Sequence, residues 1–347
     1  YTLWHTLSLH DALPIYLWYP PATGALYGPE IEALVRRFTM DIARPPFSPG
    51  TSSLQKASSL SPVNSYQSVY HPVGEYIDEW GSIWHIMEPG LTGEVKKPVL
   101  PDLDDLGSLH VPREYLASMD LSGVDAFCRN TGSFILSGLA GRLFEQIQFI
   151  HGTEQVLADL LLEKTKMERL INTVHQYNLE HIAMWLDTDA DAVFLMDDWG
   201  SQRDLLISPE LWRHLFKPLY REYCDVIHRA GKRVFFHSDG NIEKIIADFI
   251  DIGVDALNAQ LFCMNIDAIG KNYRGKITFW GEIDRQYILP FGSTEEVVRA
   301  VNDVDNTLGG PEGGVIAQCS WQPNCPPQNI AAVFEQWEKI YKGETAQ

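Results

Sequence analysis

Residues 192–198 (AVFLMDD) and 233–239 (RVFFHSD) decide the fold of this 347-residue chain. Each is a short apolar run that ends in acidic residues, and a segment with helical signals separates the two. Four more short apolar segments alternate with helical segments in the same way, namely residues 134–138 (FILSG), 256–260 (ALNAQ), 277–282 (ITFWGE) and 315–319 (VIAQC). Short apolar runs that alternate with helical segments predict a parallel sheet wrapped by helices. We expect an α/β fold, a single-domain (β/α)8 TIM barrel with an irregular N-terminal region, and two further strands before Ser133.

The segments between these strands carry helix boundary signals. Ser208 before Pro209 predicts a helix start, because serine caps helices and proline fits the first turn. Ser293 and Glu296 have the spacing of a capping box ahead of an apolar run. Pro218 falls inside the first of these helices, where its ring and missing N–H predict a kink.

The N-terminal region needs separate treatment. Residues 6–15 read TLSLHDALPI, which resembles the translation of a common sequencing-library adapter rather than a protein segment. We therefore predict that residues 1–15 are non-native, that residues 16–73 form an N-terminal helix and loop region, and that residues 74–342 form the barrel. Glycines interrupt aromatic and β-branched residues over 74–103, which predicts a hairpin-like excursion.

The composition excludes some classes of partner. With 46 acidic and 27 basic residues the formal net charge is −19, which repels nucleic acids and other polyanions. No run of about 18 apolar residues is present to span a bilayer, so we expect no membrane partner. Five scattered cysteines, an odd number, argue against a disulfide framework and for a reducing compartment. We expect a cytoplasmic protein.

Five of the six strands end in polar or reactive side chains. These ends carry Asp197 with Asp198, His237 with Asp239, Gln260, Glu282 and Cys319. Because the C-terminal ends of parallel barrel strands share one mouth, we expect these side chains to face one cavity. The sequence therefore predicts an active site at that mouth.

His237, Asp239 and Cys319 together offer nitrogen, oxygen and sulfur as metal ligands. His237 and Asp239 stand two apart on one strand and share a face, and with Cys319 they could hold Zn²⁺ with one open position. We predict these three residues as metal ligands. The alternative is a hydrogen-bonded barrel histidine and a small, buried Cys319.

Asp198, Asp239 and Glu282 are the candidate catalytic residues. Paired carboxylates near a histidine suit acid–base chemistry, because repulsion and burial raise one pKa toward neutrality. Asp197 adjoins Asp198, so one of the two is expected to point into the cavity and the other to cap the following loop.

A second set of residues is predicted to bind substrate. Its members are Arg142, Asp197, Asn258, Gln260 and Trp280. Arg142 could grip a substrate carboxylate with two hydrogen bonds, or form a solvated salt bridge. The two amides would orient substrate or satisfy backbone groups, and Trp280 would form an aromatic wall or pack in the core.

Four motifs closely resemble uroporphyrinogen decarboxylase-like proteins. They are residues 196–212 (MDDWGSQRDLLISPELW), 235–242 (FFHSDGNI), 252–258 (IGVDALN) and 277–297 (ITFWGEIDRQYILPFGSTEEV). The resemblance extends over roughly residues 74–337 and implies a (β/α)8 barrel with its active site at the strand ends. This superfamily contains both decarboxylases and methyltransferases.

The decarboxylase branch is the poorer match. Uroporphyrinogen decarboxylases carry an N-terminal Arg-Gln-Ala-Gly-Arg-Tyr segment whose arginines bind a polycarboxylate substrate. This chain lacks the segment, and its nearest basic pair, Arg36 and Arg37, precedes Phe38 without the glycine. Burying a polycarboxylate without several cations has a large desolvation cost, which disfavours that substrate.

The methyltransferase branch moves a methyl group from a methylated corrinoid protein to a thiol or to tetrahydrofolate. Its thiol-specific members bind zinc through a His-x-Cys pair on one strand and a cysteine on a later one. In this chain His237 and Cys319 match that pattern, but Asp239 replaces the first cysteine. The resemblance implies a bound Zn²⁺ that keeps a thiol acceptor deprotonated. If zinc is absent, it implies that Asp239 or Asp198 acts as the acid–base group on a pterin acceptor. No Asp-x-His-x-x-Gly cobalamin motif occurs, so the corrinoid is expected on a partner protein.

Two alternatives to methyl transfer stay open. One is decarboxylation of a porphyrinogen, as in porphyrin biosynthesis, or of another small carboxylic acid, anchored by Arg142 and without a cofactor. The other is a catalytically silent barrel that serves as a binding module. The partners considered are a small-molecule substrate, a corrinoid protein and a second copy of the chain in a homodimer.

Overall fold

The computed structural model describes residues 14–310 and 314–344. The strands are β1 (Ile15–Trp18), β2 (Ile42–Ala43), β3 (Ser61–Pro62), β4 (Gly74–Ile77), β5 (Ile83–Ile86), β6 (Glu94–Lys97), β7 (Phe134–Gly141), β8 (Ala192–Met196), β9 (Arg233–Ser238), β10 (Ala256–Ala259), β11 (Thr278–Trp280) and β12 (Val315–Ser320). The helices are α1 (Pro21–Arg37), α2 (Ser53–Ala57), α3 (Arg113–Ala117), α4 (Val124–Asn130), α5 (Leu143–His151), α6 (Thr153–Leu162), α7 (Lys164–Leu186), α8 (Pro209–Leu215), α9 (Lys217–Arg229), α10 (Ile246–Ile252), α11 (Ile266–Tyr273), α12 (Ile288–Phe291), α13 (Thr294–Leu308) and α14 (Pro327–Tyr341). Within these two ranges no helix is both long enough and apolar enough to cross a bilayer.

Eight strands form one sheet in the order β1-β12-β11-β10-β9-β8-β7-β2. All its ladders are parallel, and His237 of β9 is in register with Asn258 of β10 and Met196 of β8. Helices follow most strands along the chain. This is the predicted (β/α)8 barrel, nearly closed, with its seam between β1 and β2.

The two barrel strands that precede Ser133 are β1 and β2. β1 pairs with β12 and β2 pairs with β7, both in parallel. The barrel sheet therefore starts well before residue 74, where we expected the barrel to begin. Of the predicted non-native segment 1–15, residues 1–13 lie outside the described residues, whereas Ile15 is the first residue of β1.

A second sheet, in the order β3-β4-β5-β6, lies between β2 and β7 in the chain. β4 pairs antiparallel with β5, and β5 pairs antiparallel with β6, so the predicted hairpin-like excursion is present. Tyr76, Trp84 and Ile86 form a small apolar core for this sheet. The excursion is a local sheet beside the barrel and contributes no strand to it.

The predicted helix boundaries are confirmed. Ser208 caps α8 by accepting a hydrogen bond from the Leu211 N–H at 3.1 Å. Ser293 and Glu296 form both hydrogen bonds of a capping box at the start of α13. The expected irregularity near Pro218 is a break between α8 and α9, where the proline lies in the first turn of α9.

Aromatic side chains fill the barrel interior beneath its C-terminal mouth. The ring centroid of Trp280 lies 5.4 Å from that of Tyr16 and 5.8 Å from that of Phe194. Trp18 stacks on Trp280 with the centroids 6.4 Å apart. Since successive residues of a strand face opposite sides, Tyr16 and Trp18 point into the barrel and Leu17 points out toward the helices.

Candidate active site

The ends of β8 and β9 meet at the C-terminal mouth of the barrel. His237 lies near the end of β9, while Asp198 and Asp239 follow β8 and β9. Nε2 of His237 is 3.5 Å from Oδ1 of Asp198 and 3.6 Å from Oδ1 of Asp239. One imidazole nitrogen therefore faces two carboxylates from neighbouring strand ends.

Asn258 of β10 sets the tautomer of His237. Nδ2 of Asn258 donates to the Trp280 carbonyl oxygen and, at 3.2 Å, to Oε1 of Gln318, which leaves Oδ1 of Asn258 facing Nδ1 of His237 at 2.5 Å. Because a carbonyl oxygen only accepts, the proton of neutral His237 lies on Nδ1. Nε2 then directs a lone pair toward the two aspartates.

The lone pair on Nε2 of His237 and the two carboxylates are all electron-rich, so a cation or a second proton on His237 would stabilise this arrangement. Oδ1 of Asp239 is buried and accepts no hydrogen bond from any described residue, and Nε2 of His237 lies 3.6 Å from it. Within the described ranges, the ligand atoms of Asp198, His237 and Asp239 all lie within 4.8 Å of one another. One nitrogen and two carboxylates can hold Zn²⁺ with an open position, and a doubly protonated His237 would also balance the charges.

Arg285 pairs with the other oxygen of Asp239. Nη2 of Arg285 donates to Oδ2 of Asp239, and Nη1 lies 3.5 Å from Oε1 of Glu282. Burial raises the pKa of Asp239, but the charges of a doubly protonated His237 and of Arg285 outweigh burial and leave that pKa below its usual value. Asp239 is therefore held as a carboxylate.

Glu282 and Asp198 resist ionisation instead. Burial raises the pKa of Glu282 to about 8, although the Arg285 charge acts in the opposite direction. Burial also raises the pKa of Asp198, and the charge of Asp239 adds to this effect. Near neutral pH the mouth thus contains an ionised acid, Asp239, beside a mostly protonated one, Glu282.

A cleft of about 740 Å³ opens beside these groups. Its lining residues are Glu88, Leu91, Asp239, Arg285, Gln286, Tyr287, Gln322, Pro323 and Asn324. A smaller cavity of about 110 Å³, which shares Arg285 with the cleft, is lined in part by Gln260 and Glu282. Asp239 and Arg285 are therefore within reach of a small molecule from solvent, whereas Glu282 lines only the smaller cavity.

Residues 85–340 match the family model described as uroporphyrinogen decarboxylase (URO-D). The chain belongs to the uroporphyrinogen decarboxylase family. A curated relative, the uroporphyrinogen decarboxylase of Acidiphilium cryptum (strain JF-5), is 25% identical over 183 residues. That match spans 50% of this chain and 48% of the relative, so the chain covers about half the length of that protein.

A solved structure extends the comparison over the whole fold. A methyltransferase from Methanosarcina mazei aligns over 98% of this chain and 97% of its own, with a TM-score of 0.67. At 13% sequence identity this likeness concerns the fold. The uroporphyrinogen decarboxylase family barrel is therefore shared with proteins whose names describe different reactions.

Cys319 lies outside the His237 cluster, which corrects the ligand set predicted for this uroporphyrinogen decarboxylase family member. Gln318 points into the barrel, where Asn258 donates to it, so the adjacent Cys319 faces the helices. Cys319 is fully buried in the apolar core, and burial raises the pKa of its thiol. Asp198 occupies the place in the cluster that we assigned to Cys319.

Asp197 caps a helix, which corrects its predicted role in substrate binding. Its Oδ2 accepts from the N–H groups of Leu143 (2.7 Å) and Phe144 (3.0 Å), and its Oδ1 accepts from the N–H of Glu145 (2.8 Å). The Tyr220 hydroxyl donates to Oδ2 at 2.5 Å. Both oxygens are buried and occupied, so Asp197 anchors the start of α5 to the end of β8 rather than capping the following loop.

Arg142 is already paired within the protein. Its Nε lies 3.1 Å from Oε2 of Glu145, and its Nη1 donates to the Ser65 carbonyl oxygen at 2.7 Å. Its Nη2 lies 2.8 Å from the Met196 sulfur. A substrate carboxylate would have to displace Glu145, so the structure does not leave Arg142 free for the predicted anchoring role.

The other predicted binding residues take part in the framework of the mouth. Oε1 of Gln260 accepts from the Gly240 N–H at 3.0 Å and so ties the ends of β9 and β10 together. Trp280 is fully buried among the interior aromatic rings. Asn258, as described, positions His237 through a hydrogen bond.

Sequence reasoning missed two arginines and one tryptophan. Arg285 stands three residues after Glu282 in the same motif, and that position was an available signal. Arg44 follows β2, a two-residue strand within a proline-rich stretch that has no recognisable periodicity. Trp18 ends β1, and its ring centroid lies 5.0 Å from that of His237.

Proposed function

We propose that this chain is a methyltransferase that moves a methyl group from a methylated corrinoid protein to a thiol or tetrahydrofolate acceptor. The cluster of Asp198, His237 and Asp239 carries the proposal, because the unprotonated Nε2 of His237 lies between two carboxylates. The corrinoid would be supplied by a partner protein. A fold shared with the methyltransferase from Methanosarcina mazei is compatible with this activity.

The cluster fits Zn²⁺ by its donor chemistry. The buried, unpartnered Oδ1 of Asp239 and the lone pair of His237 face the same point. His237, Asp239 and Asp198 would hold the ion, and bound Zn²⁺ would keep a thiol acceptor deprotonated. Two oxygen ligands make this a harder site than one built from cysteines.

Neighbouring residues hold this arrangement in place. Asn258 keeps the proton of His237 on Nδ1, and Arg285 keeps Asp239 ionised. Glu282 lies on the far side of Arg285, where its neutral form adds no charge to the cluster. For a pterin acceptor in a zinc-free site, Asp198 or Asp239 would transfer the proton instead.

Metal analysis combined with a turnover assay tests the proposal. Purified protein is assayed with methylcobalamin as donor and a thiol or tetrahydrofolate as acceptor, and the loss of methylcobalamin absorbance is followed. We expect stoichiometric zinc, and loss of both zinc and turnover in His237→Ala and Asp198→Asn. Asp105→Asn, at an exposed position in the segment Leu103–Ser108, is the matched control.

The outcomes separate the parts of the proposal. Full turnover by metal-free protein would contradict the zinc site but not methyl transfer. Absence of turnover with either acceptor would contradict methyl transfer. Turnover that persists in His237→Ala would contradict the assignment of the site.

Decarboxylation is the second candidate, because Glu282 presents a proton at the mouth. Its pKa of about 8 makes it a proton donor at neutral pH, and a decarboxylation needs a proton to replace the lost carboxylate. The curated relative from Acidiphilium cryptum bears the name of such an enzyme. Anaerobic incubation with uroporphyrinogen discriminates, since formation of coproporphyrinogen would favour decarboxylation over methyl transfer.

A further inference from the structure

Arg44 is a cation at the barrel mouth. It directly follows β2, so it lies at the C-terminal end of a strand that borders the seam of the barrel. Its Nε and Nη2 are buried and have no hydrogen-bond partner in the part of the chain that the structure describes. Over residues 14–310 and 314–344, no carboxylate forms an ion pair with this guanidinium.

The contacts of Arg44 connect it to the candidate active site. Its guanidinium carbon lies 4.5 Å from the ring centroid of Phe194 and 5.9 Å from that of Trp18. The Trp18 ring also contacts the imidazole of His237, with 5.0 Å between the centroids. Arg44 and His237 are therefore linked through one shared indole ring.

Aromatic contacts satisfy only part of this cation. A cation over an aromatic face gains electrostatic stabilisation, but the Nε and Nη2 hydrogens remain unpaired, which is costly when they are buried. The two other arginines at the mouth differ from Arg44. Arg142 has Glu145 beside it and Arg285 has Asp239, whereas Arg44 has no carboxylate beside it among the described residues.

We propose that Arg44 binds the carboxylate of a small organic acid substrate and thereby directs the reacting end of that substrate toward His237. The planar guanidinium presents paired N–H donors that match the two oxygens of a carboxylate. Because Arg44 and His237 both contact the Trp18 ring, a small acid held by Arg44 would lie near the His237 cluster. The role of the reacting end rests on the proposed function, whereas carboxylate binding by Arg44 does not.

Calorimetric titration with propionate at constant ionic strength tests the binding step. Propionamide has nearly the same shape without the charge, so we expect propionate to bind and propionamide not to bind. Arg44→Gln should weaken propionate binding at least about tenfold, which is the loss expected for a charge-assisted pair. Arg229→Gln, at an exposed position at the end of α9, is the matched control and should bind like the wild type.

A second variant keeps the test falsifiable. Arg44→Lys retains the charge but not the paired donors, so its affinity for propionate should fall between those of the wild type and Arg44→Gln. The proposal is overturned by unchanged binding in Arg44→Gln, by equal binding of propionamide, or by tighter binding of inorganic phosphate. If neither Arg44 variant folds, Arg44 has a structural role at the seam between β1 and β2, and the proposal is wrong.

The titration also separates this inference from the proposed function. Wild-type protein that binds propionate through Arg44 but transfers no methyl group would contradict the proposed function alone. Methyl transfer that proceeds unchanged in Arg44→Gln, together with unchanged propionate binding, would contradict the role of Arg44 alone.

Discussion

Replacing Asp197 with alanine should destabilise the barrel strongly, because four buried donors lose their acceptor. These are the N–H groups of Leu143, Phe144 and Glu145 and the hydroxyl of Tyr220. Loss of a helix N-cap costs about 1–2 kcal/mol, and a buried donor without a partner costs about 1–3 kcal/mol. Burial raises the pKa of Asp197 to about 6, so removing its charge returns part of this energy. We expect Asp197→Ala to lower the unfolding free energy by about 3–5 kcal/mol.

Urea unfolding followed by tryptophan fluorescence measures this change, and the adjacent Asp198 is its control. Asp198 is half-buried and accepts one backbone hydrogen bond, from the Asp239 N–H at 2.9 Å. Asp198→Ala also removes repulsion against Asp239, so its effect on stability should stay within about 1 kcal/mol in either direction.

The two variants should show opposite behaviour. Asp197→Ala should lose stability, whereas Asp198→Ala should lose methyl transfer while remaining folded. Unfolding free energies for the two variants that agree to within about 1 kcal/mol would refute the capping role of Asp197.

Three other residues give separate outcomes. Burial and the charge of Asp78 raise the pKa of Glu79 from 4.5 to about 8, so the folded state holds an extra proton across that interval and stability falls as the pH rises through it. The slope should approach about 1.4 kcal/mol per pH unit, and urea unfolding at several pH values should show a flatter dependence for Glu79→Gln. Asn258→Ala should release the proton of His237 from Nδ1, so ¹⁵N-histidine NMR of that variant should show a tautomer mixture; a spectrum like the wild type would contradict the role of Asn258. Ser293→Ala removes the capping box of α13 and should cost about 1 kcal/mol in urea unfolding, whereas an unchanged midpoint would show that the cap is dispensable.

The barrel strands that sequence reasoning found are those buried on both faces. β9 was predicted over residues 233–239 and runs over Arg233–Ser238, because parallel strands under two layers of protein read as continuous apolar runs. β2 has two residues in a proline-rich stretch, so it offers no pattern to recognise. β1 has four residues and overlaps the segment that resembles an adapter, which left it out of the predicted barrel.

The direction of each strand-end side chain was harder to predict than its position. His237 and Asp239 follow from strand polarity alone, but the inward face of β12 depends on its register, and a shift of one residue exchanges Gln318 for Cys319. The local sequence could not show that Asp197 and Asp198 have different roles. The N–H groups that donate to Asp197 lie at the start of a helix that is distant in the chain.

Two acids beside the partly buried Arg285 differ in protonation state. Arg285 donates a hydrogen bond to Asp239, which therefore ionises, whereas Glu282 lies 3.5 Å from Nη1 and stays mostly protonated near neutral pH. If both acids were ionised, a single guanidinium would have to offset two buried charges, and burial already opposes the ionisation of Glu282. The mouth therefore offers an anion, Asp239, at one terminal nitrogen of Arg285 and a proton donor, Glu282, at the other.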